Sequence, residues 1–223
     1  MSFVKHAVFV GEDAPELEDH EAFVEHVLNR LNREKILITQ GIVDHLDHSS
    51  SRQFVGGKLG IDATDKEVAA GVSEPLSDGL LLEKVQKIDN RVVALKQYMS
   101  HTKNPVCVIA VKKEESQKKL MKKLRALSAH IKVAIIVEHV NNDLNDPYML
   151  VWRVVNNIDA QRDVKLKEII AVDATNKGEL DGFEREWPGD TFCTKAVLDT
   201  LQEKGLIDID EPFIKRFGLL PFN

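Results

Sequence analysis

The sequence predicts an α/β fold in which a mainly parallel sheet is flanked by helices and built from two related βαβ units. Short apolar runs alternate with amphipathic helical stripes, as in sheets that helices cover on both faces. Shifting the chain by 127 positions aligns 5–31 with 132–158 and leaves eight identities without a gap. The phrase Asp-Ala-Thr begins at Asp62 and again at Asp173. These observations indicate an internal duplication.

The two copies differ in one long segment. At the repeated phrase the shift falls from 127 to 111, so the second copy lacks 16 residues in or beside 40–57. We therefore expect a first repeat at 1–66, a connecting helix region at 67–103, and a second repeat with a C-terminal helix and tail at 104–223.

The first repeat begins with a β-branched and aromatic run at 3–10, which ends at a Gly-Glu-Asp turn and predicts a strand. Apolar residues at helical spacing predict a helix over 19–31. A second apolar run at 35–39 completes the βαβ unit. The serines and glycines of 40–66 predict a loop, in which Gly56 and Gly57 permit a tight turn.

The rest of the chain continues the alternation. A helix is predicted at about 78–98, and short apolar runs predict strands at 105–111, 131–138 and 165–172. Helices are expected at 114–129 and at 191–204, the latter ending before Gly205. Another helix is expected to begin at Asp146 and Pro147, which suit an N-cap and a first helical position. The Phe- and Leu-rich tail at 212–223 is expected to dock on another surface.

Composition excludes several classes of protein. The 223 residues carry a formal net charge of −6, which argues against a nucleic-acid partner because phosphate binding needs a concentrated basic face. No apolar run approaches the ~20 residues that span a bilayer. Two distant cysteines suit a reducing compartment, so we expect a cytoplasmic location. A strand directly after Ser2 indicates a piece cut from a longer chain.

The best local candidate for chemistry is Asp44-His45-Leu46-Asp47-His48, which places two carboxylates and two imidazoles after a predicted strand. A metal site would use His45, His48 and one aspartate, but no companion ligand stands at a diagnostic spacing. A hydrogen-bonded loop anchor is the favoured alternative. Asp47, followed by Ser49 and Ser50, could equally cap the backbone of the loop.

The remaining motifs favour structural roles. The segment 56–58 lacks the frame of a phosphate-binding loop. Asp62 and Asp173, each followed by Ala-Thr and a nearby lysine, are typical of turns at strand ends. The segment 185–188 combines a guanidinium with a tryptophan and suits interface packing. These residues are therefore assigned to a structural motif and not to catalysis: Asp44, Gly57, Lys58, Asp62, Lys66, Asp173, Lys177, Arg185 and Trp187.

In order along the chain, these motifs resemble the C-terminal part of the UbiD family of decarboxylases, the 3-polyprenyl-4-hydroxybenzoate carboxy-lyases. The first copy matches the family pattern at 43–50 and 57–66, and the second copy matches it at 159–163, 173–177 and 185–187. The resemblance covers about 5–66 and 131–188. Residues 67–130 depart from it, and long menaquinone-type members with an enlarged C-terminal region are the variants to compare.

The resemblance implies an enzyme of ubiquinone or menaquinone biosynthesis that removes CO₂ from an aromatic acid with prenylated flavin mononucleotide, a divalent metal and potassium. In this family the metal ligands and the catalytic residues lie in a preceding flavin-binding domain. We therefore expect this chain to contain no catalytic residue, to bind none of these cofactors alone, and to form a homo-oligomer. The same resemblance places His45, Leu46 and Asp47 near the substrate mouth.

Two alternatives remain open at this point. A duplicated α/β body without a complete site would also suit a stand-alone scaffold or regulatory subunit. A small-ligand-binding protein without catalysis could instead use the loop at 44–48.

Overall fold

The computed structural model describes residues 3–65, 71–190 and 193–212. Its strands are β1 (His6–Val10), β2 (Ile36–Ile42), β3 (Val55–Ala63), β4 (Val92–Tyr98), β5 (Val106–Val111), β6 (Val133–Glu138), β7 (Val164–Leu166) and β8 (Ile170–Asp173). Its helices are α1 (His20–Arg30), α2 (Asp78–Ile88), α3 (Lys118–Leu124), α4 (Pro147–Asn157), α5 (Ala160–Asp163) and α6 (Lys195–Glu203).

The strands form two sheets, and both sheets are mixed. The first has the order β1-β3-β2, with β1 parallel and β2 antiparallel to β3. The second has the order β4-β5-β6-β8-β7, in which only β5/β6 and β6/β8 pair in parallel. The predicted α/β class is confirmed, but a mainly parallel sheet is not observed. The chain returns antiparallel at β2–β3, β4–β5 and β7–β8, which makes both sheets mixed.

Three of the predicted elements were wrong. The segment 40–66, predicted as a loop, contains β3, and Gly56 and Gly57 lie in this strand and not in a tight turn. The helix predicted at 78–98 ends at Ile88, and the β-branched run that follows forms β4. The strand predicted at 165–172 is a hairpin of β7 and β8. Lys66 and the tail from 213 onward lie outside the described residues.

The same connection and register recur in the two sheets. In the first sheet β1, α1, β2 and β3 follow one another, and His6 pairs with Leu59. In the second sheet β6, α4, the short α5, β7 and β8 follow one another. The strands β6-β8-β7 lie side by side in the same order as β1-β3-β2, and Val133 pairs with Ile170. The connection between the last two strands differs: it spans 43–54 in the first sheet and 167–169 in the second.

Helices cover both faces of the five-stranded sheet. On one face α2 and α3 pack Leu81 and Leu120 against Ile109 and Ile136. On the opposite face α4 packs Leu150 against the sheet. The three-stranded sheet joins this second core through the partly buried Ile38 and Leu59, beside α5. No helix among the described residues has the length and apolar character needed to cross a membrane.

We expect Ile136→Ala to lower the free energy of unfolding by about 3 kcal/mol, because its fully buried side chain would leave a cavity between α3 and the sheet. Urea unfolding followed by circular dichroism would measure the change. Val93→Ala, at an edge-strand position that is 41% exposed, is the control and should cost less than about 1 kcal/mol. Equal losses in the two variants would contradict the proposed core.

Candidate functional site

The candidate site is the connection between β2 and β3, residues 43–54, which we call the β2–β3 loop. Its two ends are closed by a hydrogen bond of 3.1 Å from the backbone N–H of Val43 to the carbonyl of Phe54. Val43, Ser49 and Ser50 are fully buried, whereas Leu46 is 76% exposed. The loop therefore has a buried base and an exposed tip.

The buried carboxylate of Asp47 organises the base of the loop. It accepts hydrogen bonds from the ammonium of Lys5 at 2.6 Å and from the hydroxyl of Ser49 at 2.9 Å. The hydroxyl of Ser50 and the backbone N–H groups of Ser49 and Ser50 also donate to it. Burial alone would raise the pKa of Asp47, but the hydrogen bonds from Lys5 and the serines outweigh it and lower the pKa to about 2.

This arrangement makes Asp47 an anchor. With five donors around its two oxygens, the carboxylate has little remaining capacity to bind a metal or accept a substrate proton. Among the described residues, no three His, Cys, Asp or Glu side chains converge as a metal site would require. The geometry agrees with the loop-anchor interpretation and with the predicted capping of the loop backbone by Asp47.

The second half of the chain holds the base of this loop. The guanidinium of Arg185 donates to the carbonyls of Ser50 at 2.6 Å and of Asp47 at 3.2 Å. Arg162 donates to the carbonyl of Ser49 at 2.7 Å. Because these carbonyls lie in irregular backbone, the arginines supply hydrogen bonds that no strand partner provides.

Aromatic packing covers the same side of the loop. The ring of Trp187 meets His48 edge-on, with centroids 4.7 Å apart, and Phe183 lies 5.5 Å from Trp187. The guanidinium of Arg162 lies 5.0 Å above the Phe183 ring. Burial lowers the pKa of His48 although Asn157 hydrogen-bonds to it. His48 is therefore a packed, neutral side chain near pH 7 and not part of the exposed tip.

The tip itself consists of Asp44, His45 and Leu46. The carboxylate of Asp44 accepts the backbone N–H of Leu46 at 2.9 Å, which fixes the turn. The side chains of Asp44 and His45 are 54% and 65% exposed. Of the three residues predicted to lie near a substrate, His45 and Leu46 therefore face outward and Asp47 lies beneath them.

The close contact between the two halves explains Gly57. Its backbone N–H donates to the carboxylate of Asp159 at 2.8 Å, and a Cβ here would lie 2.4 Å from that carboxylate and 2.5 Å from the backbone nitrogen of Gln161. Only glycine leaves room for α5 at this point. The ammonium of Lys58, next along the strand, donates to the carbonyl of Val4 at 2.7 Å.

The repeated phrase forms the same turn in both halves. The carboxylate of Asp62 accepts the backbone N–H of Thr64 at 3.0 Å and its hydroxyl at 2.7 Å. Asp173 accepts the corresponding groups of Thr175 at 3.1 and 2.7 Å. Both aspartates therefore accept hydrogen bonds that close turns after strands β3 and β8.

The second phrase also leads to a buried lysine. The ammonium of Lys177 donates to the carbonyl of Asp173 at 3.0 Å and lies 3.8 Å from the carboxylate of Asp163. Burial raises the pKa of Asp163, against the opposing effect of Lys177 and Arg162. The carboxylate of Asp163 in turn accepts the backbone N–H of Asp159 at 2.8 Å, at the end of α5 that receives Gly57.

Sequence reasoning missed several partners of the loop. In the sequence, Lys5 is only an identity with Lys132 between the repeats, and 159–163 is only part of a resemblance. Their contacts with the loop join residues 42 to 113 positions apart, from Lys5–Asp47 to Arg162–Ser49. No local pattern in the sequence signals such pairings.

Comparison with known families identifies the domain. The family model described as the 3-octaprenyl-4-hydroxybenzoate carboxy-lyase C-terminal domain, UbiD_C, matches residues 1–63 and 75–199. The chain belongs to this family. The resemblance drawn from the motifs is thereby confirmed, and the match extends through most of 67–130, where the motifs had not been found.

Relatives and solved structures add context to this UbiD C-terminal domain. Uncharacterized proteins from Helicobacter pylori strains ATCC 700392 / 26695 and J99 / ATCC 700824 are each 48% identical over 223 residues, 98% of the chain. The chain spans 36% of the length of these relatives.

Two solved structures resemble the chain only distantly. An evolved dimeric form of the UbiD-class enzyme HmfF from Pelotomaculum thermopropionicum in complex with prFMN gives a TM-score of 0.40 at 16% identity, covering 68% of this chain and 41% of that one. Vanillic acid decarboxylase of Sedimentibacter hydroxybenzoicus gives 0.41 at 16%, covering 56% and 31%. Scores this low support no inference about function.

We expect Asp47→Asn to lower the free energy of unfolding by about 2 kcal/mol at pH 7, because the ion pair with Lys5 is lost. The pKa of Asp47 is lower in the folded protein than in the unfolded chain, so its stabilisation is present above about pH 4 and disappears as the pH falls toward 2. The difference in unfolding free energy between the wild type and Asp47→Asn should therefore shrink as the pH falls.

Urea unfolding at pH 7, 5 and 3.5 would measure this difference. Asp44→Asn is the matched control, since its exposed side chain can still cap Leu46 and should change stability by less than about 0.5 kcal/mol. If Asp47→Asn lowered the free energy of unfolding equally at all three pH values, the stabilisation by Asp47 would not depend on the charge of its carboxylate.

We expect Gly57→Ala to destabilise the domain by about 2 kcal/mol, because the added methyl group would press against the backbone of α5. Thermal unfolding would measure it. Gly79→Ala is the control: a Cβ there meets nothing within 4 Å, and alanine favours α2 by about 0.5–1 kcal/mol. A Gly57→Ala variant as stable as wild type would mean that the two halves are not in close contact here.

Proposed function

We propose that this chain is the C-terminal, non-catalytic portion of a UbiD-like carboxy-lyase. The substrate class is an aromatic acid, a polyprenyl-hydroxybenzoate or a related quinone precursor. The family match over 1–63 and 75–199 carries this proposal. The 36% share of the relatives' length leaves space in them for a separate flavin-binding decarboxylase domain, which would be the partner of this one.

The cofactors of the proposed enzyme would be held outside this chain. Prenylated flavin mononucleotide, a divalent metal and potassium are the groups that the resemblance implies. The described residues do not fit a metal ion, because the carboxylates near the loop are already engaged: Asp47 by Lys5, and Asp159 by the backbone of Gly57. No chemical step is therefore assigned to residues of this domain.

The role proposed for this domain is to present the tip of the β2–β3 loop at the substrate mouth. His45 and Leu46 are the residues that would make contact, since both are exposed. Asp47, with Arg185 and Trp187 on the other half of the chain, would act as a positioning residue that holds the tip in place. A rigid support lowers the entropy lost when a substrate or a neighbouring domain meets the tip.

We also infer that the two halves descend from one unit, with repeats at 1–66 and 104–223 joined by 67–103. Support comes from the shared strand order and from the pairing of His6 with Leu59 and of Val133 with Ile170. Aligning the two halves within each relative would test this. Loss of the shifts of 127 and 111 among the relatives would contradict a common origin.

The proposal is tested in a protein of the relatives' length, produced with a supply of prenylated flavin. We expect it to release CO₂ from aromatic acids, while the 223-residue chain alone releases none. Leu46→Asp in the longer protein should lower kcat/KM at least tenfold, because a charge at the tip would face the substrate mouth. The melting temperature should not change.

Leu80→Asp, at an exposed position of α2, is the control and should leave kcat/KM unchanged. A longer protein that neither binds flavin nor releases CO₂ from any acid tested would contradict the proposal. Copurification of the 223-residue chain with a separate catalytic chain would favour the scaffold alternative instead.

A further inference from the structure

A cavity lies where helix α3 meets the edge of the five-stranded sheet. The helix packs over β8, and the edge strand β7 lies beyond it. Between α3 and the β7–β8 hairpin the structure leaves a space of about 280 Å³, which we call the β7 edge cavity. Its floor is formed by the buried apolar side chains of Met121, Ile169 and Ala171. The edge of the sheet therefore offers a small apolar recess.

Cationic side chains surround this recess on both sides. One side is lined from α3 and the turn that follows it, at the spacing i, i+4 and i+7 that places residues on one face of a helix. The other side is lined from the β7–β8 hairpin. These cations are Lys118, Lys122 and Arg125 on the helix side, and Lys165 and Lys167 on the hairpin side. The aliphatic stems of the lysines extend the apolar floor, while their ammonium groups remain in water.

One carboxylate lies beside these cations, and it is already engaged. The guanidinium of Arg125 donates to Glu168 at 2.6 Å. Hydrogen bonds from Arg125 and from the backbone of Glu168 lower the pKa of this carboxyl to about 2, and the charge of Arg33 acts in the same direction. Glu168 therefore balances Arg125, and the charges of the four lysines around the cavity remain.

The lysines of α3 that do not line the cavity have partners of their own. Lys119 pairs with Glu115 at 2.9 Å, and Lys123 donates to a backbone carbonyl at 3.1 Å. In the part of the chain that the structure describes, no acceptor lies within hydrogen-bonding distance of the ammonium groups of Lys118 and Lys122. Like charges at i and i+4 destabilise a helix slightly. An anion in the cavity would remove this repulsion.

The first sheet shows that an edge strand at this place does not need a cation. In the second sheet Lys165 pairs with Ala171, and in the first sheet Leu37 pairs with Gly60. Gly60 and Ala171 are equivalent under the shift of 111 positions. The position of Lys165 is therefore occupied by an apolar residue in the other half, and pairing within the sheet does not account for the lysine.

We propose that the β7 edge cavity binds a small aromatic phosphate. The ring lies on the apolar floor, and the phosphate is held by the ammonium groups of the four lysines. Small-molecule sites typically measure about 300–1,000 Å³, so this cavity suits a single or fused ring. A phosphate dianion is favoured because several separate point charges surround it. In a chain with a net charge of −6, this local positive charge attracts an anion to one place. The inference does not depend on the proposed decarboxylase function.

Isothermal titration calorimetry of the 223-residue chain with naphthyl phosphate tests the proposal. We expect one site per chain with a dissociation constant between about 100 μM and 1 mM, as suits a ligand of this size. Inorganic phosphate and naphthol should each bind at least tenfold more weakly, because each makes only part of the contacts. If either bound as tightly as naphthyl phosphate, the floor or the lysines would contribute nothing, and the proposal would be overturned.

Charge-reversal variants locate the site. At about 150 mM salt, where distant charges are screened, Lys118→Glu/Lys122→Glu should weaken the binding of naphthyl phosphate at least tenfold. Lys119→Glu/Lys123→Glu is the matched control: it changes the net charge equally on the same helix, but these lysines do not line the cavity. It should weaken binding less than about threefold. Equal weakening in two variants with unchanged circular dichroism would indicate general attraction to a basic helix and contradict a site in the cavity.

Methionine methyl resonances test the position in the unaltered chain. Met121 lies in the floor of the cavity, whereas Met149 belongs to α4 on the opposite face of the sheet. In protein with isotope-labelled methionine methyl groups, naphthyl phosphate should shift the resonance of Met121 through the ring current of the naphthyl group. The resonance of Met149 should not move. A saturable shift at Met149 without one at Met121, or no saturable shift at all, would overturn the proposal.

Discussion

One buried carboxylate organises the loop at which the two halves of this domain meet. Asp47 lies at the base of the β2–β3 loop, paired with Lys5 from the start of the chain, and the backbone around it is held by Arg185. A buried ion pair is not stabilising by default, because both charges lose their hydration. Here the two serines supply further hydrogen bonds to the carboxylate. The loop base can therefore remain dry and ordered.

Because Asp47 is anchored, the neighbouring residues 44–48 take two different roles. The side chains that appeared chemically richest in the sequence are divided between an exposed tip and a buried base. His45 and Leu46 belong to the tip, whereas Asp47 is paired with Lys5 and His48 packs against Trp187 of the other half. Local composition showed that the segment was unusual. It could not show which side chains would face outward, because that depends on Arg162, Arg185 and Trp187 far along the chain.

The difference between local and long-range interactions explains how much of the fold could be predicted from the sequence. Helices α1 and α4 were predicted closely, because their caps and apolar stripes are local; the side chain of Asp146 caps α4 as expected. Strand β3 was missed because its glycines look like turn signals. They serve instead to admit α5 and a serine side chain against the strand, which is a tertiary requirement. The mixed sheets likewise follow from antiparallel pairings that local patterns did not reveal, such as the hairpin of β7 and β8 within the segment predicted as one strand.

Membership of the UbiD C-terminal domain family and the observed geometry complement each other. The family match covers most of the chain but assigns no role to individual residues. The structure shows where these side chains lie and which of them are already engaged. Together they direct attention to the loop tip as the exposed part of an otherwise internally satisfied region.

The contact between Arg185 and the loop also constrains how the chain can fold. Its guanidinium reaches carbonyls that lie 138 and 135 positions earlier in sequence. Closing so long a segment carries an entropy cost, and such contacts form late relative to local ones. During synthesis, strands β1 to β3 leave the ribosome well before Arg185 does. The β2–β3 loop therefore acquires its final shape only when nearly the whole domain has been made.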